Sequence, residues 1–115
     1  MSDSGNWVTV CGSDDLVNNS GVCALVNEQQ VALFKICSAN DEKVYAINNW
    51  DPIGKANVLY RGLVGSIQDK TVVASPLYKQ RFCLSSGQCM DDILHQVHVY
   101  PTRIVDQQVQ LQIVG

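Results

Sequence analysis

Hydrophobic residues in this chain come in short runs separated by polar turns. The clearest pattern closes the chain. Val109, Leu111 and Ile113 alternate with Gln108, Gln110 and Gln112, which puts one row on a buried face and the other in water. Arg103-Ile104-Val105 precedes it across Asp106-Gln107, so the two segments predict a hairpin. Upstream, Val22–Val26 and Gln30–Ile36 flank Asn27-Glu28-Gln29. That is a second hairpin signal, although its turn has no glycine. Trp7–Cys11 alternates weakly, and Lys43–Ile47 is entered through the turn-like Ser38-Ala39-Asn40-Asp41. Further strands are predicted at Thr71–Ser75, Arg81–Leu84, Gln96–Tyr100 and Gln108–Val114, from apolar, β-branched and aromatic content. Helix signals are sparse. Ser13-Asp14-Asp15-Leu16 suits one capped turn, and Lys55–Tyr60 suits another. Many short strands without a fixed-period repeat predict an all-β sandwich or small barrel.

Composition narrows the class. A chain of 115 residues predicts one domain spanning 1–115, with a core over about 7–113. Hydrophobic content of 46% and charged content of 17% fit a folded protein and not a disordered one. The net charge of -3, with no Lys/Arg cluster, excludes nucleic acid as the main partner. The polar Met1–Asn6 segment lacks the basic-then-apolar pattern of a secretory signal. No apolar run approaches the roughly 20 residues that span a bilayer. The expectation is a cytoplasmic chain without a membrane segment. The five cysteines form no C-x-x-C pair, which argues against a zinc finger or thioredoxin-like site. They read as reduced, small hydrophobes. Cys89, following Ser85-Ser86-Gly87, is the candidate exception.

Two loops carry the functional signal. They are Asn49-Trp50-Asp51-Pro52-Ile53-Gly54 and Ala74-Ser75-Pro76-Leu77-Tyr78-Lys79. Together with Val44–Asn49, Gly62–Gly65 and Arg81–Gly87, they make the chain resemble a Rieske iron–sulfur domain from about Trp7 to Ile113. In that family the loops read C-P-H and C-P-x-H. Here both prolines stand, as Pro52 and Pro76, while Asp51, Ile53, Ser75 and Tyr78 occupy the ligand positions. A Rieske centre needs two thiolates on one iron and two imidazoles on the other. The resemblance therefore implies a Rieske-like β-sandwich that lacks the cluster ligands.

Within that superfamily, Gly21–Val26 and Val73–Phe82 resemble the small subunits of assimilatory NAD(P)H-dependent nitrite reductases. That resemblance implies a partner, a large subunit carrying siroheme, an iron–sulfur cluster and FAD, which reduces nitrite to ammonium. It also implies no catalytic, cofactor-binding or metal-binding residue in this chain. Two other readings stay open, a stand-alone interaction module and an electron carrier using Asp51, Ser75, Tyr78 and a cysteine as unusual ligands.

The candidate partner interface is Trp50, Asp51, Ile53, Ser75, Leu77, Tyr78, Lys79 and Arg81. Trp50 either plugs the former cluster space or anchors a partner. Asp51 suits a loop anchor accepting backbone N–H groups, with a hard-metal ligand as the alternative. Ile53 and Tyr78 either fill the vacated space or present apolar surface. Ser75 suits a turn hydroxyl. No G-x-S-x-G elbow and no neighbouring histidine supports a nucleophile. Lys79 and Arg81, two residues apart, share a face if extended and could meet acidic groups; Arg61 is a weaker candidate of the same kind. An extended segment puts His95 and His98 on opposite faces, against a metal pair.

Overall fold

The computed structural model describes residues 6–39 and 41–113. The readings that fall on the N-terminal five residues, Asn40 and Val114 lie outside them. The strands in chain order are β1 (Asn6–Gly12), β2 (Ser20–Val26), β3 (Gln29–Ser38), β4 (Asp41–Asn48), β5 (Trp50–Asp51), β6 (Ala56–Asn57), β7 (Leu63–Ile67), β8 (Lys70–Ala74), β9 (Arg81–Cys83), β10 (Val99–Tyr100), β11 (Thr102–Val105) and β12 (Gln108–Ile113). Two single 3-10 turns, Ser13–Asp15 and Leu59–Arg61, interrupt them. All strand pairs are antiparallel. The sheets run β1-β12-β11, β10-β4-β3-β2, β5-β6 and β7-β8-β9. Among the described residues, no helix is long and apolar enough to cross a membrane.

The alternation read along β12 holds. Val109, Leu111 and Ile113 enter a core with Val31, Leu33, Val44, Ala46 and Tyr100. The first and second sheets close around that core. The weak alternation of β1 has a local cause: its register against β12 slips between Thr9 and Cys11, a β-bulge that re-aims the following side chains.

A second core lies on the opposite face of β3. Ala32 and Phe34 point there and meet Ile47, Leu59, Val73, Phe82 and Leu84. Residues 31–34 are therefore buried on both faces, which is why their sequence is an unbroken apolar run and not an alternating one. The β7-β8-β9 sheet and the Leu59–Arg61 turn cover this second core. Phe34 and Phe82 are fully enclosed in it, and truncating such a side chain typically costs about 3–5 kcal/mol.

Several expectations shift. The predicted Gln96–Tyr100 strand contracts to β10, because its earlier residues bond to different neighbours. Val97 N donates to Gly87 O, and Asn48 N donates to His98 O. Lys55–Tyr60 contains β6 before the 3-10 turn begins at Leu59. β7 carries Gly65 and Ser66 and is largely solvent-facing, so its composition gave little strand signal. The hairpin turns are two residues long at Asn27-Glu28, Gln68-Asp69 and Asp106-Gln107, and all six residues have positive φ, from 48° to 68°. Left-handed backbone at both central positions is the twist-matched hairpin solution, reached here without glycine.

Candidate functional site

The two loops sit at one end of the second core, and they are built to the same plan. In the first, Asp51 Oδ1 accepts from Ile53 N at 2.9 Å, and Lys55 N donates to Asp51 O at 2.7 Å. In the second, Ser75 Oγ accepts from Leu77 N at 3.3 Å, and Lys79 N donates to Ser75 O at 3.0 Å. Lys55 and Lys79 both have left-handed backbone, with φ of 59° and 65°. Each loop is thus a side-chain-capped turn over a proline, closed four residues on by a lysine. The sequences Asp51-Pro52-Ile53-Gly54-Lys55 and Ser75-Pro76-Leu77-Tyr78-Lys79 carry this pattern openly. The repeated spacing of proline and lysine was the signal to find it.

The loops meet through their first residues. Ser75 Oγ donates to Asp51 Oδ2 at 2.5 Å, and both residues are buried, at 1% and 0% exposed. Asp51 Oδ1 also accepts from Gly54 N at 3.0 Å. The carboxyl group therefore receives three donors from two loops, which meets its hydrogen-bonding needs out of water. Asp51 and Ser75 are staples inside the fold. Neither is placed to touch a partner, which corrects their inclusion in the interface.

Asn49 sets the first loop on the core, and the sequence reading missed it. It is fully buried. Its backbone N donates to Gln30 O at 2.9 Å, its Nδ2 donates to Gln30 Oε1 at 3.2 Å, and its Oδ1 accepts from Tyr60 N at 2.8 Å. Gly54 is crowded: a Cβ there would lie 2.5 Å from Leu77 Cδ1, which can swing aside, and 2.9 Å from Asp51 Oδ2, which its hydrogen bonds hold in place.

Over this buried base lies an apolar rim. Trp50, Leu77 and Tyr78 are exposed, Tyr78 at 66%. Ile53 is half-buried and packs against the second core, so it fills space more than it projects. Lys79 is exposed. Arg81 is exposed too, but its guanidinium is occupied within the chain. Its Nη2 lies 2.6 Å from Asp91 Oδ1 and its Nε donates to Asp91 Oδ2 at 3.1 Å. The hydrogen bonds and charge of Arg81 hold the Asp91 carboxyl below its usual range.

That pair leads into a loop of which the sequence singled out only the two histidines. Gln88 Nε2 donates to the carbonyl oxygens of Ile93 and His95, Leu94 N donates to Asp92 Oδ1, and His95 Nδ1 lies 3.0 Å from Asp92 Oδ2. These bonds hold Ile93 and Leu94 out in solvent, at 85% and 87% exposed. The following residues, Gln96, Val97 and His98, share a shallow cleft with Asn48, Trp50 and Pro52. The 91–98 segment therefore meets the first loop through this cleft and β9 through the Arg81–Asp91 pair. His95 is thus tied to Asp92, while His98 stands edge-on to the Tyr100 ring at 4.6 Å between centroids. The two histidines have separate partners.

The cysteines are unpaired. Cys83 and Cys89 are buried, and Cys11, Cys23 and Cys37 are half-buried. Cys89, the candidate exception for its place after Ser85-Ser86-Gly87, is only 2% exposed, which argues against a reactive thiol there. Burial works to raise the Cys83 thiol pKa, but hydrogen bonds from Ser85 and Ser86 outweigh it and bring the group down to about 7.

Do these residues fit a Rieske cluster? The positions matching the two thiolates hold oxygen side chains that bond to each other, and those matching the imidazoles hold a packed isoleucine and an outward tyrosine. No cysteine or histidine lies in either loop. No group of three or more His, Cys, Asp or Glu converges among the described residues. Iron in such clusters is held by soft thiolate and imidazole donors. The residues present do not fit the group.

Comparison with known proteins fixes the lineage. The family model for a Rieske-like [2Fe-2S] domain matches residues 6–112. The chain is 44% identical over 106 residues to the nitrite reductase (NADH) small subunit of Escherichia coli (strain K12), covering 92% of this chain and 96% of that one. The NMR structure of the Escherichia coli protein NirD superposes with a TM-score of 0.87 at 42% identity, covering 97% of this chain and all of that one, 100%. The chain is also 36% identical over 103 residues to the NAD(P)H nitrite reductase large subunit of Klebsiella oxytoca, covering 90% of this chain but only 10% of that one. A Rieske-like frame with changed ligand positions, matched over nearly its whole length by these small subunits, places the chain in the nitrite reductase small-subunit family.

Proposed function

We propose that this chain is the cofactor-free small subunit of an NAD(P)H-dependent nitrite reductase, acting in the cytoplasm, and that it docks its two-loop end on the large catalytic subunit. The observation that carries the reading is the Asp51–Ser75 bond. It closes the space between the loops from within and leaves Trp50, Leu77 and Tyr78 displayed above it. A former ligand platform becomes a rigid, apolar contact surface. Buried aromatic and aliphatic anchors supply most of the energy in protein interfaces. The Klebsiella relative supports the pairing, since a segment like this chain lies within one large-subunit polypeptide. In this reading the redox groups, siroheme, iron–sulfur cluster and FAD, belong to the large subunit, and this chain stabilises or orders it.

The test is assembly and turnover together. Purified large subunit is assayed for NAD(P)H-dependent nitrite reduction with and without this chain, beside size-exclusion chromatography. A stable complex with raised activity supports the reading. In the same assay Tyr78→Ala and Leu77→Ser weaken the complex by about tenfold each, the usual effect of truncating an interface anchor, while the isolated domain stays folded. A complex unaffected by both substitutions moves the interface elsewhere.

A further inference from the structure

An apolar rim alone does not set the register of a docked partner. Of the three cations able to meet acidic partner groups, Lys79, Arg81 and Arg61, Asp91 consumes Arg81. The other two stand together. Arg61, at the end of the second 3-10 turn, and Lys79, at the end of the second loop, line one groove of about 220 Å³. Leu63, Ala74, Ser75 and Pro76 form the rest of it. No acidic residue lines the groove.

Neither cation is neutralised, and Arg61 is held in place by its neighbour. Arg61 Nε donates to Tyr60 Oη at 2.9 Å, and its guanidinium carbon lies 5.4 Å from the Tyr60 ring centroid. That contact orients the side chain and leaves both terminal nitrogens free to donate. Lys79 has its backbone fixed by a left-handed conformation and the bond from its N–H to Ser75 O, and its side chain extends from there into solvent. Among the described residues, neither forms an ion pair; those present are Lys35–Glu42, Arg81–Asp91 and His95–Asp92. The chain as a whole carries a net charge of -3, yet this groove presents two unpaired positive charges beside an exposed leucine. Leu63 is 77% exposed on β7.

We propose that the groove seats an acidic side chain of the large reductase subunit. Arg61 and Lys79 close on its carboxylate, and Leu63 covers its aliphatic stem. The proposal rests on the docking reading above and names the chemistry of one contact within it. Unpaired charges at an interface rim steer encounter and fix register. Here they would select an acidic patch on the partner and reject a basic one.

The experiment is a binding titration of the intact chain against purified large subunit, at about 50 mM and about 500 mM salt, where screening is weak and strong. The double reversal Arg61→Glu/Lys79→Glu is compared with Lys43→Glu/Lys70→Glu, which changes net charge equally at sites outside the groove. The groove reversal is expected to weaken binding by about tenfold or more at low salt, with the difference shrinking at high salt, while the control reversal changes it by about twofold or less. Circular dichroism confirms that each variant is folded. Equal losses in the two reversals, or none in the groove reversal, overturn the groove assignment and leave the docking reading standing. Absence of wild-type binding overturns both. A parallel titration with sodium nitrite, followed by backbone amide shifts, covers a small-anion site. Saturable shifts confined to Arg61, Leu63 and Lys79 would replace the partner carboxylate with a free anion and so overturn the proposal.

Discussion

Replacing Asp51 by alanine tests whether the two loops are stapled from inside. The substitution leaves three donors without an acceptor: Ile53 N–H, Gly54 N–H and the Ser75 hydroxyl. An orphaned buried donor costs about 1–3 kcal/mol. The loops end at the surface, so water can enter and recover part of that. We expect a net loss of about 3–4 kcal/mol for Asp51→Ala. Ser75→Ala removes one donor to the carboxyl and one acceptor for Leu77 N–H, for a loss of about 1–3 kcal/mol. Because the two side chains share a bond, the double variant should be less destabilised than the sum, by about 1–2 kcal/mol. Asp51→Asn keeps an acceptor for the backbone donors but turns a donor toward Ser75 or a second donor into the loop, so it falls between wild type and Asp51→Ala. Urea denaturation followed by circular dichroism reads all four. A 115-residue domain carries about 6–17 kcal/mol in total, so these losses move the midpoint measurably. Additivity within about 0.5 kcal/mol, or a loss below about 1 kcal/mol for Asp51→Ala, would refute the staple.

Two further outcomes follow from the backbone and from a thiol. Glu28 has φ of 67° in the second position of the turn between β2 and β3. Left-handed backbone costs an L-residue about 1–2 kcal/mol, partly offset by glycine's entropy, so Glu28→Gly should stabilise by about 0.5–1 kcal/mol in the same urea assay; destabilisation would show that the Glu28 side chain matters more than its backbone. For Cys83, whose pKa is lowered to about 7, the folded value lies below the unfolded one. The thiolate's contribution to stability is therefore fully present above the unfolded value near 8.5–9 and is lost as pH falls through about 7. Stability should rise from pH 7 toward 9, and Ser85→Ala should flatten that rise; a flat wild-type profile would remove the hydrogen-bonded thiolate.

The strands were legible where periodicity was strong and local. β12 announced its buried face by alternation, and β2 and β3 announced their hairpin by two apolar runs around a polar break. β7 stayed hidden because Gly65 and Ser66 dilute it and water covers most of it. At the site, the sequence indicated which positions had changed and that Asp51 would anchor a turn. It could not pair Asp51 with Ser75, 24 residues away, or Arg81 with Asp91. Those are tertiary contacts, and no spacing rule reports them. The consequence was a candidate list that mixed buried staples, an internally satisfied arginine and real surface. The exposed Ile93 and Leu94 were missed for a related reason: two aliphatic residues in a row read as core unless one knows that polar bonds behind them hold them outward.

The doubly buried strand β3 explains why a domain without cluster ligands still has both loops. Ala32 and Phe34 need a cover as much as Val31 and Leu33 do. The stretch from Asn49 through Leu84, which includes both loops, supplies that cover with Leu59, Val73 and Phe82. Deleting it would turn an interior wall into an exposed hydrophobic face, a ready site for aggregation. The part is therefore tenured by packing. The loop residues can change with little effect on that wall, Ile53 excepted, whereas the elements the loops connect, the Leu59–Arg61 turn and strands β8 and β9, are held in place by the central sheet they cover.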